Sequence, residues 1–94
     1  MSGTEICAKH LVVHGRVQGV FFRASAQRRA ADLGVAVWVR NLADGTVEMV
    51  VEGDDDAVDR MLSWAHEGPI RAEVSNVDVE DLDPQGIRGF SAEG

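Results

Sequence analysis

The sequence predicts an α+β chain of order β-α-β-β-α-β, with two helices covering one face of an antiparallel sheet. Three observations carry that prediction. Short β-branched runs alternate with two longer segments, apolar residues in those segments recur every three or four positions, and turn residues separate them. The 94 residues suit a single domain spanning 1–94, because a chain of this size buries only about two-thirds of its unfolded surface.

The first strand is expected over Ile6 to His14, with Leu11 and Val13 on one face and His10 and His14 on the other. Gly15-Arg16-Val17-Gln18-Gly19 breaks it. A helix opens near Phe21, its stripe formed by Phe22, Ala26, Ala30 and Leu33, and Gly34 stops it. Val35 to Asn41 and Val47 to Glu52 are two strands, and the Asp44-Gly45 pair between them is a hairpin signal. Asp54, Asp55 and Asp56 supply an N-cap and first-turn acids for a second helix, whose stripe is Val58, Met61, Leu62 and Ala65. Gly68-Pro69 ends it, a further strand runs from about Ala72 to Val79, and Gly89-Phe90-Ser91 leaves room for a short fifth strand. A right-handed crossover makes the first two strands parallel, with the third inserted between them. Their C-terminal ends then share one sheet edge about 10 Å apart, so the loop after His14 and Asn41 can face one small ligand.

Charge is unevenly placed. The chain carries a formal net charge of −7, yet Lys9 to Arg40 holds six basic residues and one acid, net +5, while Asn41 to Gly94 is net −11. Overall acidity argues against nucleic-acid binding, which draws on Lys and Arg neutralising phosphates. A small anion can still be attracted to one or two arginines, since screening removes distant charges. Cys7, the single cysteine, has no disulfide partner within the chain, and no Cys/His set has zinc-ligand spacing, so neither metal nor cofactor is expected. Without a leader-like N-terminus or a long apolar window, the expectation is a cytoplasmic protein with no membrane segment.

The Gly15–Gly19 turn leading into a helix N-terminus aims backbone N–H groups, and the helix dipole, at one point. Phosphate is the natural occupant, and Arg23 in the first turn could fork onto two of its oxygens. The segment is neither a Walker loop nor a dinucleotide fingerprint, and pattern alone leaves an anion site and a plain turn both open.

Val13-His-Gly-Arg-Val-Gln-Gly-Val-Phe-Phe-Arg23 resembles the Gly-x-Val-Gln-Gly-Val-x-Phe-Arg signature of the acylphosphatase family, in its small common-type form. Trp38-Val-Arg-Asn-Leu-Ala-Asp-Gly-Thr-Val-Glu48 resembles the family's second signature, and weaker similarity continues to Ala72-Glu-Val74. The resemblance implies a monomeric ferredoxin-like α/β sandwich that hydrolyses acyl phosphates to carboxylate and inorganic phosphate without a metal. It makes Arg23 the phosphate-binding arginine and Asn41 the water-orienting asparagine, with loop amides from Gly15 through Arg16, Val17, Gln18 and Gly19 to Val20 completing the cradle. Inorganic phosphate is then product and competitive inhibitor. The rival reading is a non-catalytic module binding a phosphorylated metabolite or partner protein through the same loop.

Plainer roles are expected elsewhere. Gln18 is read as bonding a backbone carbonyl to hold the turn, and Arg40 as facing away from Asn41 across the sheet. His10 and His66 are read as solvated, His14 as flanking the site, Arg16 as an exposed helper, and Trp38, Trp64 and Phe22 as core.

Overall fold

The computed structural model describes residues 6–19, 21–84 and 90–93. In chain order it contains β1 (Ile6–Arg16), α1 (Phe22–Leu33), β2 (Ala36–Asn41), β3 (Val47–Asp54), α2 (Asp55–Glu67), β4 (Glu73–Leu82) and β5 (Phe90–Glu93). The sheet order is β4-β1-β3-β2-β5. Because β3 is antiparallel to both β1 and β2, those two strands run the same way, and Arg16 and Asn41 end them at the same side of the sheet.

The four longer strands form the expected antiparallel sheet, and β5 joins β2 in parallel. Its direction follows from the register. Leu82 at the end of β4 pairs with Ala8 near the start of β1, the side on which β2 also begins. A strand reaching the open edge of β2 from there runs alongside it. Gly89, included in the sequence expectation for this strand, lies outside the described residues.

Alternation along the strands builds one dry face. Leu11, Val13, Val37, Val39, Val47, Met49 and Val51 are buried there against Phe22, Ala26 and Ala30 of α1 and Val58, Met61 and Ala65 of α2. Leu11 faces Met49 and Val13 faces Val47 across the β1–β3 ladder, so the cross-strand pairs are themselves core contacts. Both helices end as their glycines dictate. Gly34, at φ 75°, donates its N–H to the Ala30 and Ala31 carbonyls, and Gly68, at φ 71°, donates to Trp64. Phe22 meets the half-buried Trp64 with ring centroids 5.2 Å apart.

The opposite sheet face is polar and paired. Glu48 accepts from Arg40 at 2.5 Å and lies 2.8 Å from His10 Nε2. His10, burial and Arg40 act on the Glu48 carboxyl, and the result lies below the usual carboxylate range because the hydrogen bond from His10 outweighs desolvation. His14 pairs with Asp78 at 2.8 Å, and Lys9 pairs with Asp81. His10 is therefore a half-buried hydrogen-bond partner of Glu48 rather than a solvated side chain. Trp38 also departs from the core role expected of it. Val37 and Val39 hold the inward positions, so parity sends Trp38 outward, where the Arg40 guanidinium lies 4.9 Å from its ring centroid.

β1 runs two residues past His14. A register shift between His14 and Gly15 lets Gly15 and Arg16 pair with Val74 and Glu73 of β4. Gly15 has φ 122°, and a Cβ there would stand 2.1 Å from the Glu73 carbonyl oxygen. The glycine thus serves the close approach of two strands. Cys7 sits half-buried, 3.5 Å from Asp55. Burial first, and then Asp55, pushes its thiol up, which disfavours the reactive thiolate.

Candidate active site

The segment between β1 and α1 is held at three points. Gly15 locks it to β4, and the Val17 side chain is 1% exposed within the core. Gln18 then donates from Nε2 to the carbonyls of Leu42, at 2.8 Å, and Thr46, at 2.9 Å. Those two residues close the β2–β3 hairpin, where Leu42 N–H donates to the Thr46 carbonyl. The turn between them is braced by Asp44, whose Oδ1 accepts from the Thr46 N–H at 3.0 Å and hydroxyl at 2.6 Å. These bonds hold the Asp44 carboxyl below its ordinary range. Gln18 therefore bonds backbone carbonyls, as its sequence reading required. The consequence is larger than a fixed turn, because the bridge ties the β1–α1 segment to the residue after Asn41.

A cavity of about 410 Å³ opens at this end of the sheet, lined by Val17, Gly19, Phe21, Phe22, Arg23, Ala24, Gln27 and Asn41. Arg23 comes from the first turn of α1 and Asn41 from the last position of β2. Two residues eighteen positions apart meet here because β1 and β2 run the same way on either side of β3. Arg23 is half-buried. The N-terminus of α1 has no side-chain cap and no acid in its first turn, so nothing negative from its own helix offsets the positive end of the dipole there.

The remaining sequence candidates divide. Gly19, at φ 74°, lines the cavity, and a Cβ on it would touch nothing within 4 Å; the backbone angle rather than crowding favours glycine there. Arg16 and Gln18 line a neighbouring depression with Gly19 and Arg71. Gly15 and Arg16 are strand residues, and Val20 lies outside the described residues. His14 sits on the paired face of the sheet, away from the cavity, while exposed His66 contacts the Leu62 carbonyl at 2.9 Å. Arg28 and Arg29 are exposed on α1. Lys9 and Arg40 pair with acids on the other face, and of the basic residues in the +5 segment Arg23 is the one that lines the cavity.

Sequence reasoning missed Phe21 and Gln27. Gln27 stands four residues after Arg23, a spacing that places both on one helix face. Phe21 adjoins Phe22 but falls off the apolar stripe that Phe22 begins, and that offset was the available signal. Among the described residues, no three His, Cys, Asp or Glu side chains converge to hold a metal, and no helix is long and apolar enough to cross a membrane.

The chain is similar to known proteins of one family. The acylphosphatase family model matches residues 9–92. The chain is 53% identical over 85 residues to an acylphosphatase of Thermococcus kodakarensis, covering 90% of this chain and 93% of that one. Among solved structures it resembles an acylphosphatase from Coxiella burnetii, with a TM-score of 0.90 and 37% identity over 98% of this chain and 99% of that one. The acylphosphatase of Bacillus subtilis follows at a TM-score of 0.87 and 32% identity, over 92% and 97%.

Proposed function

We propose, from the premise that this chain belongs to the acylphosphatase family and carries its activity, that Arg23 and Asn41 perform the hydrolysis of acyl phosphates. A purely non-catalytic binding module does not fit relatives named for the activity at this identity. The observation that carries the residue assignment is the meeting of Arg23 and Asn41 on one cavity at the uncapped start of α1.

The substrate phosphate sits against the backbone amides of the Val17–Gly19 segment, Val20 and the first turn of α1. Arg23 forks onto two of its non-bridging oxygens and offsets the charge they carry in the transition state. Gly15 and Arg16, which pair with β4 at the end of β1, lead into that cradle and are its first residues. Asn41 has one acceptor and two donors on a neutral amide, which suits holding a water without titrating it. The water oxygen attacks phosphorus as the bond from phosphorus to the acyl oxygen breaks. The carboxylate leaves with the bonding electron pair, and a water proton passes to a phosphoryl oxygen. A carboxylate is a good leaving group, so positioning and electrostatics suffice without a covalent nucleophile or a metal. His14 takes no part, since its imidazole is engaged by Asp78 on the other face of the sheet. Both groups come from one chain, so a monomer is sufficient, and inorganic phosphate competes with substrate for the same cradle.

Hydrolysis of benzoyl phosphate in excess EDTA tests this reading. Arg23→Ala should lower kcat/KM by about 10³-fold and abolish inhibition by phosphate, and Asn41→Ala should lower kcat by about 10²-fold with phosphate inhibition retained. Loss of parent turnover in EDTA would overturn the metal-free reaction. Full activity in Asn41→Ala would overturn its hold on the water.

A further inference from the structure

Phe21 breaks three local rules at once. Among the described residues it is the single non-glycine residue with positive φ, at 62°, a conformation unfavourable for a bulky L-residue. It is the N-cap of α1 yet supplies no side-chain hydrogen bond, where Ser, Thr, Asp, Asn or Gly would serve better. Its aromatic side chain is also 77% exposed. Backbone strain gathers where a site requires it, and Phe21 lines the same cavity as Arg23 and Asn41.

The chemistry gives the ring a task. With water held at Asn41, in-line displacement requires the acyl oxygen to depart on the opposite side of phosphorus. The acyl group must therefore rest on some other part of the lining. Val17 and Phe22 are spent in the core at 1% and 2% exposure, Gly19 has no side chain and Ala24 offers one methyl group. Phe21 alone among the lining residues presents a large apolar surface to solvent. At this left-handed residue the two adjacent rings part, Phe22 buried and Phe21 outside.

We propose that Phe21 is a specificity-determining residue whose ring packs against the acyl group of the bound substrate, so that the enzyme prefers acyl phosphates with aromatic or bulky apolar acyl groups. This rests on the reaction proposed above. Phosphate itself does not touch the ring, so Phe21 discriminates among substrates without contributing to the hold on the anion. The depression beyond Gly19, lined by Arg16 and Arg71, would instead favour a carboxylate-bearing acyl tail. Both arginines are exposed and show no comparable local anomaly, so the ring is the better-supported contact.

The test compares kcat/KM for acetyl, benzoyl and succinyl phosphates in the parent with Phe21→Gly and Phe21→Asn, both residues that accept positive φ. The parent should favour benzoyl over acetyl phosphate, and that ratio should fall roughly five- to tenfold in both variants, through KM for benzoyl phosphate. Inhibition by inorganic phosphate should stay within about twofold and the thermal midpoint should not drop, since strain is relieved. A ratio unaltered by either variant would overturn the inference while leaving the reaction intact. Preference of the parent for succinyl phosphate would overturn it in favour of the arginine pair. A parent inactive on all three substrates would defeat the proposed reaction, and this inference with it.

Discussion

The two helices end alike and begin differently. Gly34 and Gly68 stop α1 and α2 with backbone hydrogen bonds to the preceding turn. At its start, α2 follows the extended residue Asp54 and places Asp55 and Asp56 in its first turn, where carboxylates neutralise the positive end of the dipole. α1 starts from the left-handed Phe21, carries no acid in its first turn and puts Arg23 there. By the rules of helix stability the second start is good and the first is poor. The difference marks where the fold keeps its positive field for something other than itself. Neither N-cap side chain bonds its helix, but α2 offsets its positive end with Asp55 and Asp56, whereas α1 opens its own onto the cavity that Asn41 shares.

Making α1 begin like α2 should therefore remove function while improving the helix. Ala24→Asp places a carboxylate in the first turn of α1, on a residue that lines the cavity. Phosphate inhibition is expected to weaken by at least tenfold and kcat/KM for benzoyl phosphate to fall further, with the thermal midpoint held or raised by the helix-dipole contribution of about 0.5 kcal/mol. Unchanged phosphate affinity, measured by competition, would break the comparison.

The converse change is smaller. Asp55→Asn with Asp56→Asn strips the acids from α2, and urea unfolding should show a loss of about 0.5–1 kcal/mol. Benzoyl phosphate turnover should stay within about twofold, because neither residue lines the cavity. A larger fall in turnover than in stability would show that the two helix starts are coupled, contrary to their separate roles.

Much of this contrast was legible in the sequence, because both helix stops are glycines and the three consecutive aspartates announce the start of α2. The meeting of Arg23 and Asn41 was legible too, but only through topology, since parallel first and second strands bring their ends to one edge. Three features were not. The extension of β1 to Arg16 depends on the Glu73 carbonyl passing where Gly15 has no Cβ, and a partner 58 residues away leaves no local trace. β4 reaches Leu82 although Glu80 and Asp81 favour no strand; pairing with His10 and Lys9 carries it there. Trp38 reads as core in the sequence, yet the alternation set by Val37 and Val39 sends it to the paired face. Phe21 is half-legible: an apolar doublet at a helix start looks like core, and its offset from the stripe that Phe22 begins is the one sequence sign that the two rings part.

The α1 terminus, Arg23 and Asn41 are proposed to act together on phosphorus. Hydrolysis of benzoyl phosphate in water enriched in oxygen-18 addresses this directly, with both products analysed by mass spectrometry. Attack of the Asn41-held water on phosphorus places the label in inorganic phosphate and leaves benzoate unlabelled; label in benzoate would mean attack at the carbonyl carbon and would contradict that joint action on phosphorus.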